Sequence, residues 1–182
     1  MSIHPEPPRS KFLKLLHDQI RHEFNAEHQY IAIAVWYDNN DLPQLAKRFY
    51  AQSVEERNHA MMIVQYFVDR DISVEIAGVD AAKSKFADAR EPIALALAQE
   101  KTVTDQIVQL ASTAREEGDY LGEQFMQWFL KEQVEEVAYM TTLVNIADRA
   151  GSNLFDLEDF LWREMSTPPE ASGGPAVAGG AV

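Results

Sequence analysis

Residues 45–66, LAKRFYAQSVEERNHAMMIVQY, decide how this chain reads. Leu45, Phe49, Gln52, Glu56, His59, Ile63 and Tyr66 follow one another in alternating steps of four and three. That alternation is the period of a helix packed into a bundle core. Glu56 and His59 interrupt it at its centre, at an i, i+3 spacing that puts both on one face. Other segments repeat the pattern. Phe12, Leu16, Ile20, Glu23, Glu27, Tyr30 and Ala34 form a seam with two acids inside, and Ile93, Leu97, Glu100, Thr104, Ile107 and Ala111 form one with Glu100 inside. A fourth, Leu121, Phe125, Trp128, Glu132, Glu135 and Tyr139, has an apolar, acid-bearing row beside it: Phe129, Gln133, Glu136, Met140 and Leu143.

Glycine and proline are sparse between these seams, which predicts long helices. The first covers 9–37, and a turn follows at 38–41. Asp41 is placed to cap a second helix, with Pro43 in its first turn, running to about residue 70. Residues 71–90 show no period and read as a connection. Pro92 opens a third helix that reaches Gly118, a fourth ends before Gly151, and a shorter fifth covers 153–165. Short turns make the first and second helices one antiparallel hairpin, and the third and fourth another. The second helix spans roughly 40 Å, and a connection of about 20 residues reaches roughly 66 Å. The connection can therefore return along the whole bundle. The predicted fold is all-α: a four-helix bundle with a long crossover between its second and third helices and a short fifth C-terminal helix. The expected organisation is an N-terminal extension at 1–8, one domain at 9–165, and a flexible Ala/Gly/Pro-rich tail at 166–182.

Acids number 29 and Lys plus Arg 16, giving a formal net charge of −13 without a single cysteine. The acidic balance argues against nucleic acid, which needs a basic footprint, and suits the collection of cations. The missing cysteines remove disulfides, thiolate metal sites and thiol nucleophiles. Residues 1–10 lack an apolar core and do not read as a signal peptide, and no apolar run reaches membrane-spanning length. A cytoplasmic protein without membrane or nucleic-acid partners is expected.

Every long helix thus places glutamate where an apolar residue belongs, and the seams carry no Lys or Arg near these acids. An unpartnered buried carboxylate costs several kcal/mol or takes up a proton. One such glutamate reads as a stripe-edge residue that reaches water, but four helices doing so together point to a shared pair of divalent cations. Glu56 and His59 can hold one ion, with Glu23 and Glu100 on partner helices. Carboxylates with one imidazole and no thiolate favour a hard ion, and such a set inside a helical bundle is similar to a di-iron centre.

The motifs that carry a family resemblance are His22-Glu23-Phe24 with Tyr30, Val54-Glu55-Glu56-Arg57-Asn58-His59, Gln99-Glu100, and QWFLKEQVEE at 127–136. Over residues 11–165 the chain resembles the haem-free bacterial ferritins, above all those of mycobacteria and related actinobacteria. The resemblance implies a ferritin-like bundle with an intrasubunit ferroxidase centre. Glu23, Glu56 and His59 would bind the first iron. Glu56 would bridge to a second held by Glu100 and Glu136, with Gln133 beside the oxygen site. Tyr30 would hydrogen-bond a ligand or supply an electron, unless it is an ordinary core tyrosine, and Trp128 would pack nearby. Glu55, Glu132 and Glu135 would add a third iron site, or else form a solvated acidic face. Arg57 stands where bacterioferritins carry the haem-binding methionine, so no haem is expected. Glu27, one turn from Glu23, reads as a hydrogen-bonding or surface residue, with an accessory ligand as the alternative, and His28 as a surface or subunit-contact residue rather than a ligand.

The implied activity is oxidation of Fe2+ by O2 or H2O2, with Fe3+ stored as oxide mineral inside a hollow homo-oligomer of 24 subunits. Glu117, Asp119 and above all Glu123 would line three-fold iron channels. One alternative is a rubrerythrin-like di-iron oxidase or peroxidase without storage, against which the lack of cysteine counts. Another is cargo of an encapsulin shell, docked through the C-terminal tail.

Overall fold

The computed structural model describes residues 10–165 and 173–182. It contains α1 (Lys11–Asp38), α2 (Pro43–Asp69), α3 (Arg90–Glu117), α4 (Tyr120–Ala150) and α5 (Leu154–Met165). Among the described residues there is no strand. α1 packs on α2 and α3 on α4, and α5 rests against α2 and α4. The expected all-α bundle with a fifth helix is therefore the observed one.

The crossover between α2 and α3 follows α1, held by side chains one helical turn apart. Gln29 Nε2 donates to the Lys83 carbonyl, and Gln29 Oε1 accepts from the Lys83 N–H, both at 2.9 Å. Asn25 Oδ1 accepts from the Asp80 N–H at 2.8 Å, and its Nδ2 donates to the Asp80 carboxylate at 3.0 Å. These amides stand in for the backbone partners that an isolated extended segment lacks.

Several helix ends are closed by acids from elsewhere in the chain. The Ser10 hydroxyl accepts from Leu13 N at the start of α1. Glu117, at the far end of α3, accepts from Lys11 N at 2.9 Å and Phe12 N at 3.1 Å. The sequence assigns the cap of α2 to Asp41, but the structure does not. Asp41 takes a left-handed φ of 58° inside the turn, and α2 has no cap of its own. Glu158 of α5 supplies it, accepting from Gln44 N and Leu45 N at 2.9 Å each. At α3, Asp88 accepts from Arg90 N and Glu91 N, while Glu91 accepts from Ala87 N. This reciprocal arrangement starts the helix two residues before Pro92.

The core comprises two apolar clusters. One gathers Tyr30, Ile33, Tyr37, Phe49, Ile93 and Leu143, and the other Phe12, Leu16, Ile20, Ile63, Phe67, Ile107 and Phe129. Of the two rows on the fourth helix, the core takes Phe129, Gln133, Glu136, Met140 and Leu143, and Leu121 of the other row is 69% exposed.

Of the tail expected at 166–182, residues 166–172 lie outside the described residues. Residues 173–182 lie against α2. Ala178 N donates to the Met61 carbonyl at 3.1 Å, and Val182 N donates to Asn58 Oδ1. Val177 and Ala178 pack on the second apolar cluster, and a Cβ at Gly174 would come within 3.0 Å of the Trp128 ring. Small residues let this backbone come close to the helix without any periodic pattern.

Gly122, in the first turn of α4, faces the buried Phe12 ring, and an added Cβ would lie 2.3 Å from Phe12 Cε1. Gly122→Ala gains about 1 kcal/mol of helix propensity, against an overpacking cost of about 1–3 kcal/mol because Phe12 cannot retreat. Denaturant melts are therefore expected to show net destabilisation, and a stabilised variant would contradict this packing.

Candidate metal centre

Between the apolar clusters lies a polar one built entirely on helices. Glu23 of α1, Gln52, Glu56 and His59 of α2, Glu100 of α3, and Gln133 and Glu136 of α4 are all buried. Their spacing explains the placement, since each falls on the seam that its helix turns inward. Among the described residues, one group of three acids or histidines brings ligand atoms within 4.8 Å of one another: Glu23, Glu56 and His59. His59 Nδ1 lies 3.4 Å from Glu56 Oε2. Glu23 Oε2 is buried without a hydrogen-bond partner, so one carboxylate oxygen is left available to a ligand.

The other predicted ligands join by hydrogen bonds. The Tyr30 hydroxyl donates to Glu100 Oε1. Gln133 Nε2 donates to Glu100 Oε2 at 3.4 Å, and Gln133 Oε1 accepts from the Thr104 hydroxyl at 2.8 Å. Trp128 meets the His59 ring edge-on at a centroid distance of 5.6 Å, a packing contact.

Sequence reading overlooks three supports. Gln19 Nε2 donates to Glu23 Oε1 at 2.9 Å. Gln52 Nε2 donates to Glu56 Oε1 at 3.2 Å and to Glu136 Oε2 at 2.9 Å, tying α2 to α4. Arg48, which is not on a seam, donates to Gln52 Oε1. The signal available for Gln52 was its seat on the seam one turn before Glu56. Arg48 lies off the seam and reaches the centre only through the length of its side chain.

Burial dominates the electrostatics. Desolvation raises the carboxyls of Glu23 and Glu56 well above the ordinary range, and their acidic neighbours add to it. Glu100 is raised by burial too, against the donors Tyr30 and Gln133. Glu136 is pushed up to about 8, first by burial and then by the charges of Glu55 and Glu100. At neutral pH part of this set holds protons, and a bound cation would displace them.

Of the acids expected at a third iron site, two already have partners. Glu55 pairs with Arg48 at 3.3 Å, and Glu135 with Lys131 at 3.6 Å. Glu132 is partly buried, and burial raises its carboxyl. The acids expected at a channel are likewise engaged. Glu117 caps α1. Asp119 caps α4 and pairs with Arg70 at 3.1 Å. Glu123 accepts from Arg115 Nε at 2.8 Å and Nη2 at 2.6 Å. Glu27 is half-buried within the field of Arg57 and His28, and His28 is exposed.

Comparison with known proteins agrees with this architecture. A family described as "Ferritin-like domain" matches residues 13–150. The chain is 66% identical over 173 residues to "Ferritin BfrB" of Mycolicibacterium smegmatis, covering 95% of this chain and 96% of that one. It is 62% identical over 175 residues to "Ferritin BfrB" of Mycobacterium tuberculosis, covering 96% and 97%. Among solved structures, an open pore ferritin from the archaeon Archaeoglobus fulgidus superposes with a TM-score of 0.82 at 27% identity, covering 87% of this chain and 98% of that one. The chain belongs to the ferritin family, on its actinobacterial side.

Proposed function

We propose that this chain is an iron-storage ferritin. It oxidises Fe(II) at an intrasubunit centre and stores Fe(III) as an oxide mineral within a shell of 24 like subunits. The observation that carries this reading is the buried Glu23–Glu56–His59 group with its unpartnered Glu23 oxygen. Four carboxyls and one imidazole, without a thiolate, form a donor set suited to iron as substrate in both oxidation states. Glu23, Glu56 and His59 would take one ion, and Glu56, Glu100 and Glu136 a second, with Gln133 beside it. Two Fe(II) ions held together can deliver two electrons to O2 or H2O2 at one place. Tyr30, bonded to Glu100, is suited to hold that carboxylate or to supply a further electron.

Glu55, Glu132 and Glu135 would receive iron leaving the centre, after Arg48 and Lys131 release their partners. A channel role for Glu123 likewise requires the assembled shell to draw Arg115 away. Arg57, exposed and directly after Glu56, offers no haem ligand, so the reading includes no haem. No helix of the described residues is long and apolar enough to cross a membrane, which suits the proposed cytoplasmic location. The tail at 166–182 is read as an extension of the 9–165 domain. Docking it into an encapsulin shell would first strip residues 173–182 from α2.

Aerobic addition of Fe(II), followed by absorbance and sizing of the product, tests the assignment. Glu56→Ala and His59→Ala are expected to slow oxidation by at least about tenfold, since outer partners alone cost about 10–100-fold at metal sites. Wild-type rates in both would remove the centre from the mechanism.

The raised carboxyls make a second prediction for metal-free protein. Their folded pKa values exceed the unfolded value near 4.5, so the folded state binds more protons in the interval between. The contribution of Glu136 to stability is then fully present below about 4.5 and is lost as pH rises through about 8, and those of Glu23, Glu56 and Glu100 are lost in the same direction as pH rises through their raised values. Saturating Zn(II) should offset the loss and release protons as it binds. Denaturant melts of chelated protein across that window are the measurement. A metal-free stability that climbs from acid to neutral pH would contradict this electrostatic picture.

A further inference from the structure

Arg48 is the one cation in direct hydrogen-bonded connection with the centre among the described residues, and its side chain is only 16% exposed. Its guanidinium carbon lies 4.3 Å from the centroid of the Tyr139 ring. Nη1 pairs with Glu55 Oε1 at 3.3 Å, and Nη2 donates to Gln52 Oε1. Gln52 is fully buried. Its Nε2 donates to two carboxylates on different helices, Glu56 on α2 and Glu136 on α4.

An amide has one accepting end and one donating end. With the guanidinium at Oε1, both Nε2 hydrogens must face the two carboxylates. A flipped amide would set its NH2 against a guanidinium that can only donate, and its oxygen against two carboxylate oxygens. Arg48 thereby fixes the orientation of Gln52, and Gln52 fixes the spacing of Glu56 and Glu136. Tyr139 and Glu55 hold the guanidinium from its other sides.

We infer that Arg48 is a positioning residue for the second metal ion, acting through Gln52 to hold the Glu56 and Glu136 carboxylates ready. The inference rests on the two-ion reading above and deepens it. A rival effect has the opposite sign. As a positive charge beside a cation site, Arg48 by itself disfavours the ion, so a purely electrostatic role predicts tighter binding when it is removed. Positioning predicts weaker binding, as loss of outer-shell partners does at metal sites.

The test uses anaerobic Co(II) binding to the assembled protein, with stoichiometry from equilibrium dialysis and ligand geometry from the visible d–d bands. Arg48→Met keeps an unbranched apolar stem and removes the guanidinium with its donors to Gln52 and Glu55. It is expected to retain the first ion, at Glu23, Glu56 and His59, and to weaken the second on the order of 10–100-fold. Gln52→Leu should show the same loss, and the double variant should be no worse than Gln52→Leu alone, because both lie on one path. Arg48→Lys keeps charge and stem but cannot fork between Gln52 and Glu55. It is expected to weaken the second ion as well, and it carries the test if melts show that Arg48→Met does not fold. Unchanged or tighter binding in Arg48→Met, additive losses in the double variant, or wild-type spectra in Arg48→Lys would each overturn the inference. A wild-type protein that binds no second Co(II) would overturn the two-ion reading itself.

Discussion

Four carboxyl groups share one buried space in this bundle, and much of the surrounding structure follows from that constraint. Glu23, Glu56, Glu100 and Glu136 come from all four long helices, and each is at most 6% exposed. Moving one ionised carboxylate out of water costs several kcal/mol even after relaxation. The bundle meets the cost in three ways. Side-chain donors reach each acid, from Gln19, Gln52, Gln133 and Tyr30. Protons remain on part of the set, as the raised carboxyls indicate. Apolar clusters at either side supply the burial that keeps the helices together around a destabilising centre.

Four other acids serve a different purpose. Glu117, Asp119, Asp88 and Glu158 bind free N–H groups at the starts of four helices. The positive end of the helix dipole favours negative charge there. Glu158 matters beyond its own contact, because its carboxylate on α5 completes the start of α2. The fifth helix is thus fastened to the element that carries Glu56 and His59. The net charge of −13 therefore includes acids that hold the scaffold still as well as acids at the centre. A cluster carried on capped helices keeps its side-chain spacing better than one on loops.

The fold was legible because its signal is periodic. Long seams, two short turns and one long connection leave few arrangements, and all five helices form within a few residues of their expected bounds. The buried acids were legible for the same reason, since Glu56 and His59 break a seam that is otherwise apolar. What the sequence hid was non-local. Asp41 looked like a cap because it precedes Pro43, but the atoms that close α2 come from Glu158, more than a hundred residues away. On the fourth helix two rows were equally apolar in sequence, and only packing chose the row with Gln133 and Glu136. Residues 173–182 have no period, so their seat on α2 left no trace in the pattern.

The choice of donors around the centre bears on how it can be both stable and open to a cation. A lysine or arginine bonded directly to Glu56 or Glu136 would neutralise it and then compete with any incoming metal. Glutamine does neither. Its N–H groups hold a carboxyl whether or not that carboxyl carries a proton, and they bring no net charge. Arg48, the cation in hydrogen-bonded connection with the centre among the described residues, is set one side chain back, with Gln52 between it and the carboxyls. Its charge eases the burial of Glu136, while its donors go to Gln52 and Glu55. The carboxylates are thus held in place by groups that an arriving ion need not displace.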